Sequence, residues 1–111
     1  MIIDFHTHIF PDRLAAKTVQ GVVQRSGIQA YADGTLKGLL ASMAAAGIDL
    51  SVVCSVATRP EQVPSILGWL KTLQRPEIRA LAPMHPDYAW DADLLQNLKN
   101  QGFPGFKLHP D

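Results

Sequence analysis

The stretch "SVVCSVATRPEQVPSILGWL", Ser51–Leu70, carries the pattern on which the fold turns. It starts as a short apolar run of the strand-forming kind. Pro60 then suits the first turn of a helix, and Val63, Ile66, Leu67 and Leu70 follow at i, i+3, i+4 and i+7, one face of a 3.6-residue period. A strand that feeds straight into an amphipathic helix is a βα unit, and the same unit recurs on both sides. "MIIDF" (1–5), "IRALAPM" (78–84) and "GFKLH" (105–109) are further short apolar runs. Between the first run and Ser51, Thr35 precedes a stripe of Leu36, Leu39, Leu40, Met43 and Ala44 that Gly47 stops. After the third run, Asp91 is placed to N-cap a helix striped with Leu94, Leu95 and Leu98, which Gly102 ends. The order strand–helix–strand–helix–strand–helix–strand predicts an α/β fold with about four parallel strands, intervening helices and right-handed crossovers.

One segment breaks the rhythm. Between His8 and Thr35 the chain makes an excursion, so an inserted helical segment is expected at about 10–34. Asp12 is the expected cap of its helix, Ala15, Val19, Val22 and Val23 its stripe, and Gly27 its end. Because it follows a strand, it is expected over the carboxyl ends of the strands, where α/β folds put their sites.

The 111 residues are 47% hydrophobic and carry ten basic and ten acidic side chains, the composition of one globular domain. Zero formal charge with no clustered basic run argues against nucleic acid as a partner. No window approaches the ~18 apolar residues of a membrane span. "MIIDF" runs directly into polar "HTH" rather than into the apolar core of a signal peptide, so a cytoplasmic location is expected. The single cysteine, Cys54, lies in an apolar run without an adjoining charge and reads as a buried structural thiol.

All four histidines, His6, His8, His85 and His109, fall at the carboxyl ends of predicted strands, which share one edge in a parallel sheet. In "DFHTH", His6 and His8 are two apart and face the same way on a strand, with Asp4 below them and Phe5 and Thr7 on the opposite face. Paired neutral imidazoles suit zinc, iron, nickel or manganese better than calcium or magnesium. In "GFKLHPD", Lys107 and His109 repeat the i, i+2 arrangement. A lysine in the mouth of a parallel sheet can ligate metal after carboxylation, bind an anionic substrate, or pair with an acid such as Asp4 or Asp111; it can also simply snorkel to water. His85 and His109 each precede a proline, which keeps them extended and ends the strand. His85 therefore reads either as a substrate or ligand-supporting contact or as a cap on its strand.

Taken together, "DFHTHIFPD", "AGIDLSVV", "MHPDY" and "GFKLHPD" resemble the amidohydrolase superfamily, most closely its amidohydrolase-related metal-dependent hydrolases. The resemblance implies a (β/α)₈ TIM-type barrel with one or two divalent metals, zinc foremost, at the carboxyl end. It implies that His6 and His8 are metal ligands, that Lys107 is a bridging ligand or substrate contact, and that His109 shares in catalysis. The implied reaction is attack of metal-activated water on an amide, ester or related bond of a small-molecule substrate. The chain departs from the family in length. A complete barrel needs ~250 residues, so residues 1–111 are expected to be the first half of one, without the family's ligands on strands five and six or its aspartate on strand eight.

Three other readings remain open: a superfamily decarboxylase, a phosphoesterase of the polymerase and histidinol phosphatase family, and a non-catalytic half-barrel or assembly module. On the leading reading the chain either pairs with a second copy or a complementary half of the barrel, or is marginally stable and aggregation-prone, and alone it is inactive. The inner faces of "SVVCSVA" and "IRALAPM" are expected to lie exposed.

Overall fold

The computed structural model describes residues 1–110; Asp111, one of the acids considered as a partner for Lys107, lies outside the described residues. The elements run β1 (Ile3–Thr7), α1 (Asp12–Ser26), α2 (Leu36–Ala46), β2 (Leu50–Cys54), α3 (Val63–Lys71), β3 (Ile78–Met84), α4 (Ala92–Asn100) and β4 (Phe106–Leu108). The four strands pair in sequential order, every pair parallel, and the sheet curls like half of a barrel. This is the predicted α/β alternation. Among the described residues no helix is long and apolar enough to cross a membrane.

Local chemistry explains the helix positions. Thr35 caps α2, its hydroxyl accepting from the Gly38 amide at 2.9 Å, and Asp91 caps α4 by accepting from the Leu94 amide at 2.7 Å. Pro60 opens a single 3₁₀ turn, Pro60–Gln62, that leads into α3. At α1 the expectation needs correcting. Asp12 is the first helical residue rather than the cap, which is Pro11, so its carboxylate favours the helix through the dipole and not through a capping bond.

The core lies between the sheet and the helices. Val53, Ile78 and Ala82 from the strands meet Met43 of α2, Val63, Leu67 and Leu70 of α3, and Leu98 of α4. Truncating a side chain as enclosed as Leu70 costs ~2–5 kcal/mol in transfer energy and cavity formation. The expected exposure of β2 does not occur: Val52, Val53 and Cys54 are all buried. Within the sheet, the exposed large apolar side chains sit instead on the two edge strands, Ile3 and Phe5 on β1 and Phe106 and Leu108 on β4. A central strand is flanked on both sides, whereas an edge strand is not.

The excursion is clamped where it leaves β1 and where it enters α2. The Phe10 amide donates to the Gly34 carbonyl at 2.8 Å. Asp33 accepts from both the amide and the hydroxyl of Thr35, at 2.9 and 2.8 Å, which ties the clamp to the α2 cap. The first turn of α1 borders α2 and the end of α3. Beyond that turn the excursion is loosely attached: Ala15 is the buried residue of α1, and Tyr31 is 91% exposed.

Candidate functional site

The site is built on the carboxyl end of β1. The Nε2 atoms of His6 and His8 lie 3.0 Å apart, with ring centroids 4.9 Å apart, so both imidazoles project to the same side. The strand beneath is less regular than strict alternation predicts. Ile3 and Asp4 pair with Leu50 and Ser51, but Thr7 pairs with Val53, so one extra residue of β1 is accommodated between Asp4 and Thr7. Phe5 and Thr7 therefore do not share an environment. Phe5 is 72% exposed, whereas Thr7 is buried and its hydroxyl donates to the Val52 carbonyl at 2.9 Å. That bond pins the end of β1 to β2 between the two histidines. Asp4 turns back on its own chain, its carboxylate accepting from the His6 amide at 3.1 Å.

Electrostatics draw β4 into the same place. Partial burial holds the His8 imidazole below its ordinary value, and the neighbouring His6, then Lys107 and finally His109 push in the same direction. The charges of Lys107 and His109 thus reach His8 from the end of β4. The Cys54 carbonyl opposes the shift by hydrogen-bonding the His8 ring. Lys107 also acts on the Cys54 thiol, although burial dominates there and raises it above the usual thiol value. Cys54 is thus a protonated, buried side chain whose sulfur contacts the Phe5 and Val52 carbonyls at 3.7 and 3.8 Å. The structural reading of the thiol fits this geometry.

The residue that sequence reasoning missed is Cys54 in its backbone role. Its carbonyl partners His8, and the signal was available in principle, because parallel pairing of the first two strands brings their carboxyl ends side by side. His85 makes the local contacts of a strand-end cap. Its Nδ1 accepts from the Asp87 amide at 3.2 Å, and its carbonyl accepts from the Trp90 indole at 3.0 Å. These bonds close the turn after β3.

The donor set can be compared with what a metal requires. Two imidazole nitrogens on a tetrahedral zinc, each at ~2.0–2.1 Å, stand about 3.3 Å apart. The observed 3.0 Å needs only a small adjustment of either ring. A ligating imidazole also needs a polar partner to orient it, and the Cys54 backbone is the polar group that interacts with the His8 ring. Burial favours the neutral ring that ligation uses. Among the described residues no group of three or more His, Cys, Asp or Glu side chains is gathered for a metal, so the pair is a two-histidine seat on which Lys107 and His109 act electrostatically.

Two cavities lie elsewhere on the molecule. One of 220 Å³ is bounded by Leu70, Ile78 and Phe103 at the amino-terminal end of β3. The other, of 680 Å³, runs between the first turn of α1, α2 and the end of α3. Comparison of the chain with protein-family models, with curated proteins and with solved structures returns no match.

Proposed function

We propose that this chain carries the metal-binding strand of a metal-dependent hydrolase of the amidohydrolase superfamily, and that its sheet is the first half of a (β/α)₈ barrel. The observation that carries the reading is the 3.0 Å approach of the His6 and His8 Nε2 atoms at a strand's carboxyl end. A divalent ion of the zinc type, when bound, supplies a Lewis acid and acidifies a water molecule to near neutrality. The chain's own residues do the rest. His6 and His8 offer their Nε2 atoms to the ion, and the Cys54 backbone interacts with the His8 ring beside them. Lys107, on the opposite edge of the sheet, contributes either its ammonium to an anionic substrate group or, once carboxylated, a further ligand. In this reading His109, which follows β4, takes part in proton transfer. The Thr7–Val52 bond holds the two imidazoles at a fixed height above the sheet. Hydrolysis of an amide, ester or related bond is the reaction these groups serve.

Equilibrium titration with cobalt(II) tests the seat without requiring turnover. The wild-type chain is expected to bind with a visible ligand-field band, and His6→Ala/His8→Ala to lose at least tenfold in affinity. Equal binding by both proteins would place the ligands elsewhere and end the proposal.

A further inference from the structure

The 680 Å³ groove on the helix side of the molecule has a chemistry of its own. Phe10, Leu40 and Trp69 give it apolar walls, and Arg13, Lys37 and Arg75 place three cations around them. One acid, Asp12, lies among the lining residues, so the lining carries a net charge of about +2 by the ordinary ionisation of these groups. The cations differ in how far they are committed. Arg75 is paired with Glu77 at 3.3 Å, and Lys37 feels the carboxylate of Asp33. Arg13 makes no ion pair among the described residues. Guanidinium and ammonium groups set around an aromatic floor match a ligand with an anionic head and a flat apolar body. The volume falls within the range of small-molecule sites.

We propose that this groove binds an aromatic carboxylate. The carboxylate lies against Arg13 and Lys37, and the ring system lies against Trp69 and Phe10. The clamped excursion makes such a site possible, because the Phe10–Gly34 bond fixes Phe10 and the start of α1 against α2. The groove is separate from the histidine pair and its occupancy needs no metal, so this proposal and the proposed function fail independently.

The two tryptophans provide the readout: Trp69 lines the groove, and Trp90 lies in the turn after β3 as an internal control. Titration with 2-naphthoate in metal-free buffer, followed by the indole N–H resonances, is expected to move the Trp69 signal saturably and leave that of Trp90 in place. The neutral isostere 2-naphthylmethanol is expected to bind at least tenfold more weakly. Arg13→Gln/Lys37→Gln is expected to weaken naphthoate about tenfold while the Trp90 signal and the circular dichroism stay unchanged. Raising the salt concentration should weaken naphthoate and leave the alcohol untouched. Equal affinity for acid and alcohol, no loss in the double variant, or equal movement of both indoles would overturn the proposal.

Discussion

His8 is held neutral by a site that disfavours its charge. Burial comes first among the causes, and His6, Lys107 and His109 add to it. Its folded-state value therefore lies below the ordinary 6.5, while in the unfolded chain it returns to that value. Between these two values the unfolded chain binds more protons, so the stability linked to His8 is fully present above pH 6.5. It is lost as the pH falls through the folded-state value. Urea unfolding of wild type and His8→Gln as a function of pH is the check. The wild-type midpoint should fall more steeply below about pH 6.5 than that of the variant. Parallel curves would show that His8 does not titrate differently on folding. The same residue shows where legibility ends. The i, i+2 spacing of the histidines was enough to place both rings on one side. The Cys54 carbonyl that supports His8 belongs to another strand and could be foreseen only by knowing which strands are neighbours.

At the scale of elements, the clamp around Gly34 ties the two ends of the excursion together at the start of α2. Gly34 has φ +76°, and a Cβ there would stand 2.7 Å from Val19 Cγ2 and 3.1 Å from Phe10 Cδ2. Gly27, at the end of α1, has a similar φ of +69° but open space where its Cβ would be. The two glycines thus separate backbone strain from steric contact. Gly27→Ala should cost about 1 kcal/mol, the left-handed penalty alone. Gly34→Ala should cost ~2–3 kcal/mol, because the new methyl must also displace Val19 or Phe10. Denaturant unfolding of both variants checks the difference, and equal losses would mean that the clamp is soft. Element by element, caps and stripes made most of the chain legible. The Thr35 cap and the leucine stripe placed α2, and "IRALAPM" is β3 residue for residue. The extra residue in β1 was not legible, because alternation cannot register an accommodation that depends on the partner strand. Nor was the role of His85 legible, since both readings need only a strand end; its bonds to Asp87 and Trp90 depend on the turn that follows.

For the whole molecule, the four-stranded order leaves β1 and β4 as edges, and each edge shows apolar side chains. Unpaired edges with apolar faces invite further pairing. A polypeptide of residues 1–111 is therefore expected to self-associate with rising concentration. Phe106→Thr/Leu108→Thr, which removes two exposed apolar side chains while keeping strand propensity, should shift it towards monomer. Sedimentation velocity reads both outcomes, and a wild-type chain that stays monomeric at every concentration would contradict the reading of the edges. The central claim concerns the opposite end of β1, where two histidines form a seat for a metal. X-ray absorption on the zinc-loaded chain tests it most directly. The account predicts two imidazole nitrogens at ~2.0–2.1 Å, with the imidazole scattering lost in His6→Ala/His8→Ala. A first shell without imidazole, or a spectrum unchanged in the double variant, would contradict it.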